Sequence, residues 1–516
     1  MKRLVLLMFI AFYVLGVNAQ ESKLWKEYKN AYENGTEAKL PNFSYAGYKY
    51  SEVAIPKAKH KVFNVVKFGA DPKGVKSSKT ALRKAIAAAE KHGSGIILFP
   101  KGRYLINTKG DDLKPILIKG SNIVFRGEGN NVDGSVLFFE KDPPPLDPNK
   151  KWTVPRMLQV KSNDGDQFLT DVVADTRRET FTITVKNAKG MKPGDWVILK
   201  VLNNSKDLLR YDLQPIVPEK EWKSILTKGV QFNERHQVKA IDGNKVTFFE
   251  PIHYDVQAKH GWKLYSFGHV ENVGFENIMF EGNWTIPFVH HKNAQHDSGW
   301  SILSMGRAVN SWVKDCRFKN ISSAVSFSQS AYCTALNNVV EGNLGHNAIS
   351  AGGGSTGILI AKTEDKAGQW HACGVGGGST TGTVLWRCKH PKHTSFETHA
   401  SQPRCTLFDK VEGGFFLGRG GGARQNLPNH GRYLVLWNYK ETDEAEKDFE
   451  FWSRRTWYWK IVPPIVVGFH GAGTTFKESD VDVVESLGTP VKTESLWEAQ
   501  LTLRLGKLPR WIEAYK

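Results

Sequence analysis

The sequence predicts an all-β fold, a parallel β-helix with one stacked coil per repeat, and three observations predict it. Short apolar runs recur through the second half of the chain: Val273 to Phe280, Trp312 to Phe318, Ala335 to Val340, Gly357 to Ala361, Gly382 to Trp386, Cys405 to Phe408 and Tyr433 to Trp437. From Ala335 on they start roughly 22 to 28 residues apart, within the period of about 20–50 residues that marks a solenoid. Each run is too short for a helix and rich in β-branched and aromatic residues. Asn, Gly and Ser punctuate the runs, as from Glu341 to Asn347, Gly352 to Ser355 and Gly376 to Ser379. With 48 Gly in 516 residues, the chain is supplied for tight corners and long enough for a large core in one extended domain.

The elements follow in chain order. Lys2 and Arg3, the apolar stretch Leu4 to Val14 and the small residues Val17-Asn18-Ala19 read as a cleavable secretory signal over residues 1–19. The expected location is therefore secreted or periplasmic. That apolar stretch is too short to span a bilayer, no other candidate span occurs, and no membrane insertion is expected. Residues 20–61 form a polar N-terminal arm with a helix-like lead. Residues 62–164 begin the β-helix. Val62 to Asp71 reads as a strand ending in a Gly turn. Lys79 to His92 is a capping helix of strong helix formers, with Ser77 or Ser78 as N-cap and Gly93 as terminator. Gly95 to Ile106 is a strand, a Pro-Gly turn and a second strand, and Lys141 to Pro155, with five prolines, is a loop leaving the stack. Residues 165–262 contain alternating segments (Phe181 to Val185, Pro193 to Leu199, Lys245 to Phe249) that read as a β-rich insertion of antiparallel strands, either a substrate clamp or a stabilising flange. Residues 263–440 are the main β-helix, and 441–516 a C-terminal cap in which Leu496 to Leu505 is a last strand or a cover.

The opening coils resemble a known family. Phe68-Gly69-Ala70, Thr80-Ala81-Leu82, Ala85-Ile86 and Phe99-Pro100-Lys101-Gly102-Arg103-Tyr104 are similar to the start of the pectate-lyase-like superfamily. The resemblance implies a right-handed parallel β-helix whose first coils are capped by a short helix. Many relatives carry an Asp-rich turn before that helix; here Pro72 to Ser78 stands in its place. The superfamily includes lyases, glycoside hydrolases and phage depolymerases, so the resemblance carries fold further than reaction.

The formal charge is +18, or +16 once Lys2 and Arg3 leave with the signal (18 − 2). A secreted protein this basic points to an anionic partner. No nucleic-acid motif occurs, and an acidic, sulfated polysaccharide or oligosaccharide fits export better; the chain is expected to act as a monomer. Five Cys (316, 333, 373, 388 and 405) lie in the repeats with no metal-ligand spacing, and read as buried hydrophobes.

Equivalent positions in successive coils stack about 4.8 Å apart. His346, His371, His399 and Arg424 are separated by 25, 28 and 25 residues, and Arg404, Arg419 and Lys362 fall within part of a coil of them. Such a column suits β-elimination from a uronic acid, in which a base removes the C5 proton while positive groups stabilise charge spreading onto the carboxylate. His has a pKa fitted to the base role, and Arg grips a carboxylate with two hydrogen bonds. The candidate catalytic residues are His346, His371, His399 and Arg404, with His371 or His399 as base and Arg404 and Arg424 neutralising the carboxylate. His290, His291, Arg307, Lys362, Trp370, Arg419 and Arg424 are candidate sugar-binding residues. The group expelled from C4 is either a sugar (a lyase) or a hydroxyl leaving as water (a dehydratase).

Two rival readings remain open. A glycoside hydrolase of the same fold needs two carboxylates, for which Asp297, Asp315, Asp365, Glu397 and Asp409 are available. Polygalacturonase-like members carry paired Asp and a Gly-His-Gly segment; here His346 lies between Gly345 and Asn347. A non-catalytic glycan-binding β-helix would show exposed aromatic rows. Calcium-assisted pectate lyases cluster Asp on the coils, and the His290, His291, His296 and Asp297 group has no metal-motif spacing, so neither a metal nor another cofactor is predicted.

Overall fold

The computed structural model describes residues 20–415 and 420–516; the signal segment and Arg419 lie outside the described residues. The chain is a parallel β-helix. One ladder runs from Val62–Asn64 through Gly95–Phe99, Ile123–Gly129, Gly274–Gly282, Trp312–Lys314, Thr334–Leu336, Leu359–Ala361, Thr383–Trp386, Thr406–Asp409 and Leu434–Trp437. A second ladder meets it at a corner within Gly274–Gly282, whose two halves pair with different strands, Trp312–Lys314 and Arg317–Lys319. A third, separate sheet of seven strands carries the site described below.

Corners explain why single apolar runs hold two strands. The Ala335 to Val340 run splits into Thr334–Leu336 and Val339–Glu341 at Asn337, whose φ is 55°, and Asn277 and Asp315 turn two other coils at φ 56° and 52°. Asn and Asp tolerate the left-handed region better than other side chains with a Cβ. Inside the tube, identical positions stack: Phe125 on Phe275 at 4.6 Å and Phe280 on Phe318 at 5.2 Å between ring centroids. All five Cys are free and buried, and burial pushes the thiols of Cys316, Cys333 and Cys388 up to about 12, which removes them as nucleophiles near neutral pH.

The helix Lys79–His92 covers the first coil with Ala81, Leu82, Ala85, Ile86 and Ala89, and Gly93 ends it in the left-handed conformation. The Ser78 hydroxyl does not cap it; that oxygen accepts from the Asp71 amide instead. At the other end the coils run further than the sequence pattern: Ile465–Val467 pairs with the Leu434–Trp437 strand, and Val483–Glu485 pairs with Ile465–Val467. The aromatic segment from Phe451 to Trp459 lies between these strands and stretches the spacing past 28 residues, which hid them. Leu496–Leu505 is a helix rather than a strand. Its start is held by Asp409, which accepts from Ser495 Oγ, Leu496 N and Trp497 N. It lies on the outer face of the first ladder, where Trp497 meets Trp386 at 5.1 Å. No helix among the described residues is long and apolar enough to cross a membrane.

Six strands from Phe168–Asp171 to Lys263–Ser266 form an antiparallel sheet beside the helix, with its own core around Trp222, Phe232, Tyr254 and Trp262. A buried ionic group ties this sheet to the N-terminal arm. His253 Nδ1 lies 2.5 Å from Glu234 Oε1 and its Nε2 reaches the Asn42 carbonyl; His236, stacked on Phe248, lies 3.1 Å from Glu234 and 3.3 Å from Glu250. Burial opposes charge on all three groups, but the His–Glu attraction outweighs it: both His rise to about 9 and Glu234 falls to about 2. Buried Glu179, itself pushed up by burial, also faces His253. A raised His stabilises the fold fully below its ordinary value near 6.5 and loses this as pH climbs through about 9; a lowered Glu stabilises above about 4.5 and loses this as pH falls through about 2. Stability against urea is therefore expected to be highest between about pH 4.5 and 6.5 and to fall toward pH 9. In a His236→Phe/His253→Phe double variant that alkaline loss should shrink; an unchanged alkaline slope would contradict the account.

Candidate active site

The site lies on the seven-stranded sheet, whose strands run from Ile116–Ile118 and Leu158–Val160 through Ser301–Gly306, Ser323–Ser328, Asn347–Gly352 and Gly374–Val375 to Glu397–Thr398. Its outward positions are small. Ser304, Ser326, Ser350 and Gly374 stand in one row, and Gly306, Ser328 and Gly352 in the next. They make a flat floor of small residues. One wall is the excursion 283–299, fixed by Trp284 Nε1 donating to the Leu344 carbonyl and Asn343 Nδ2 to that of Ile286. The opposite wall is the insertion, whose Asn233 and Arg235 bond to Ser379 Oγ and the Gly354 carbonyl.

The histidines enter this groove from the excursion wall and from the floor. His346 and His371 stand where adjacent strands begin; the His371 amide donates to the His346 carbonyl at 2.8 Å. The turn before His371 is set by Asp365, which accepts from the Gly368 and Gln369 amides, and Gln369 Oε1 then accepts from the Gly345 amide. His399 lies at the far end of its strand, so strict backbone register pairs His371 with Asn347 and His399 with Gly421. The rings nevertheless converge. Centroid separations are 4.9 Å for His346–His371 and 5.9 Å for His371–His399. From the excursion, His290 comes within 5.4 Å of His346 and 5.5 Å of His371, and its ring stacks on Trp370 at 4.7 Å. His291 is exposed and lies against buried Asp297 at 3.0 Å.

Each ring has its own electrostatic setting. His371 Nδ1 lies 2.9 Å from Glu397 Oε2, a carboxylate almost wholly buried; such a partner fixes ring orientation. His346 is driven well below the ordinary histidine range, first by burial and then by His371, His290 and His291, and its buried Nε2 has no hydrogen-bond partner among the described residues. His399 Nδ1 lies 2.9 Å from the Ala400 carbonyl. Only a protonated Nδ1 can donate there, which leaves the Nε2 lone pair to act as a base. Gly421 packs on this ring: a Cβ at that position would fall 2.0 Å from His399 Cδ2. Gly421→Ala is thus expected to displace the imidazole by about an ångström and lower kcat about 10²-fold with an unchanged melting temperature; unaltered kcat would contradict the placement.

The described cationic residues of the expected site, Arg404, Arg424, Arg307 and Lys362, are elsewhere, a correction to the sequence reading. Arg404 is buried and grips Asp212 of the insertion with Nε–Oδ1 at 2.8 Å and Nη2–Oδ2 at 2.6 Å, while Nη1 donates to the Gln231 and Gln402 carbonyls. It is a clamp between insertion and coil, and its donors are already engaged. Arg424 faces solvent and pairs with Glu219 at 3.3 Å and Glu221 at 3.6 Å. Arg307 donates to the Gly268 carbonyl, to Gln329 and to Asp166, and stacks over Phe267. Lys362 sits beside the C-terminal segment, its Nζ 3.4 Å from the Lys516 carbonyl. His296 is also withdrawn: buried, it accepts from the Val289 amide and holds the excursion in shape.

Two residues emerge that the sequence left in the background. Glu397 is the partner of His371, and exposed Trp152 lies on the short 3-10 turn Lys151–Thr153 that packs against the excursion helix Ala294–Ser298. A separate cavity of about 420 Å³ lies where the insertion meets the first coils, lined by Trp196, His269 and Glu271 among others; it shares no residue with the histidine cluster. Of the hydrolase candidates, Asp365 and Asp409 are buried and raised by burial to about 7, and they serve the turn and helix described above. Glu397 and Asp297 each face a histidine.

Comparison with known proteins finds family matches over two segments of the chain. Residues 62–135 match the family described as rhamnogalacturonase A/epimerase, pectate lyase-like, and residues 368–515 match a domain of unknown function, DUF4955. None of the curated proteins matches the sequence. Among solved structures, similar ones include the tailspike protein gp49 from Pseudomonas phage LKA1 (13% identity, 79% of this chain and 71% of that one, TM-score 0.48). Others are PfbA, a surface adhesin of Streptococcus pneumoniae (10%, 82% and 82%, 0.41), and the A-module of the Azotobacter vinelandii mannuronan C-5 epimerase AlgE6 (12%, 83% and 94%, 0.41).

Proposed function

We propose that this chain, a member of the pectate-lyase-like β-helix superfamily, is a secreted enzyme that carries out β-elimination on uronate-containing glycans. The observation that carries the reading is the convergence of three imidazoles over a flat, small-residue floor, with His399 Nε2 left as the acceptor by the Nδ1–Ala400 bond. His399 is the assigned base. It would take the C5 proton as the C4–O bond breaks; the electrons of the C5–H bond become the C4–C5 double bond. The departing oxygen keeps the C4–O pair and takes a proton, from the protonated His399 or from solvent water, to leave as a sugar hydroxyl or as water. The neighbouring cluster of His290, His346 and His371 is assigned the carboxylate end of the uronate, and Trp370 and Trp152 supply faces on which sugar rings stack. The net basic charge favours an anionic, sulfated substrate, and the signal-like residues 1–19 support export. The test is incubation with a panel of acidic polysaccharides and their oligosaccharides, with ultraviolet absorbance read for an alkene conjugated to a carboxylate. New reducing ends without that absorbance would replace elimination by hydrolysis.

A further inference from the structure

β-Elimination needs positive charge beside the substrate carboxylate, and among the described residues the expected side chains leave that need unmet. Arg404, Arg424, Arg307 and Lys362 are committed to partners outside the histidine cluster. Among the described residues, the groups that border His399 along the groove are imidazoles, His371 first.

We propose that His290, His346 and His371 bind one divalent transition-metal ion of the zinc class. One ligand atom from each of the three lies within 4.8 Å of the other two. Three nitrogen donors at one point match a site with three protein ligands and an open fourth position. Tetrahedral nitrogen ligands at about 2.0–2.1 Å from zinc stand about 3.4 Å apart, so small side-chain rotations close the set. The surroundings are built as metal sites are built. Glu397 lies 2.9 Å from His371 Nδ1, the outer carboxylate that orients a ligating imidazole and leaves the other nitrogen for the metal. Trp370 stacks flat on His290 at 20°, holding a loop-borne ligand in place. His346 Nε2 is buried and without a hydrogen-bond partner among the described residues, and its ring stands 5.4 Å from that of His290 and 4.9 Å from that of His371. Imidazole donors favour zinc, copper, nickel or cobalt over calcium or magnesium, which take oxygen ligands.

A second set, His291, Asp297 and His346, also comes within 4.8 Å. It is the weaker claimant, because His291 and Asp297 already engage each other at 3.0 Å and His291 is largely exposed. The role assigned to the metal rests on the elimination reading: its open position would take the uronate carboxylate while His399 takes the proton. The existence of the site does not rest on that reading.

The experiment titrates the purified, chelator-treated full chain with Co²⁺, read by visible d–d absorption, with Zn²⁺ competition. One Co²⁺ per chain is expected, displaced by Zn²⁺. His346→Ala and His290→Ala should each weaken binding more than about 100-fold, and Glu397→Gln about 10–100-fold, the usual cost of losing an outer partner. His291→Ala should leave binding intact. His290 lies on an excursion outside the coils, so its variant guards against a folding failure at His346. No saturable Co²⁺ signal, or a signal that survives both His290→Ala and His346→Ala, would overturn the site; loss in His291→Ala with retention in His290→Ala would move it to the rival set. Because His399→Ala should keep full Co²⁺ binding, metal binding without any elimination product would retain the site and discard its catalytic role.

Discussion

Replacing His399 with alanine is expected to lower turnover by about 10²–10⁴-fold, the usual contribution of a positioned general base, with the melting temperature unchanged. The expectation rests on three features. The ring is only partly buried, so its removal leaves no closed cavity. Its Nδ1 bond to Ala400 O points Nε2 away from its own backbone. Its neighbour along the groove is His371, at 5.9 Å, so proton acceptor and carboxylate-binding groups lie within one sugar residue of each other. A His399→Ala enzyme with ordinary kcat and raised KM would make His399 a binding residue and pass the base role to His371.

Arg404→Met is expected to destabilise the protein by about 3–5 kcal/mol, the typical cost of stranding one partner of a buried ion pair. Asp212 and Arg404 are both almost completely buried. With the guanidinium gone, the Asp212 carboxylate keeps the Tyr254 hydroxyl at 3.1 Å but loses both charged donors. The double variant Arg404→Met/Asp212→Asn removes the stranded charge and should recover part of the loss. Differential scanning calorimetry of the two variants measures both effects. A stable Arg404→Met enzyme with collapsed turnover would return Arg404 to the groove.

The contrast between these residues shows what a sequence of this kind discloses. Strand positions were legible from Ala335 to Trp437 because each coil repeats one apolar run and one polar corner; Asn337 and Asn438 report the left-handed turn directly, while Lys362, Arg387 and Lys410 hold the same corner in the coils between. Spacing near one coil likewise brought His346, His371 and His399 into one candidate group. The His346 and His371 backbones are one residue out of register, that of His399 lies several residues further along its strand, and the rings meet because imidazoles span those offsets. Arg424 carried the same spacing and Arg404 lay within part of a coil of it, and both went elsewhere. The partner of Arg404 is 192 residues away, on the insertion, and no local pattern records a pairing between a coil and a separate sheet. The three clustered imidazoles were hidden for a related reason: His290, His346 and His371 come from a loop and two coils, so their spacing resembles no metal motif. The coils beyond 440 were lost because long aromatic loops between Trp437 and Val483 broke the period.

The most direct test of the central claim is ultraviolet absorbance of the wild-type enzyme and its His399→Ala variant, side by side, on uronate-containing glycans, followed by mass spectrometry of the products. The account predicts rising absorbance from the wild type, products bearing an unsaturated uronate, and almost none from the variant. Equal absorbance from both would contradict the assignment of the base. Chain cleavage without absorbance in either would contradict elimination itself.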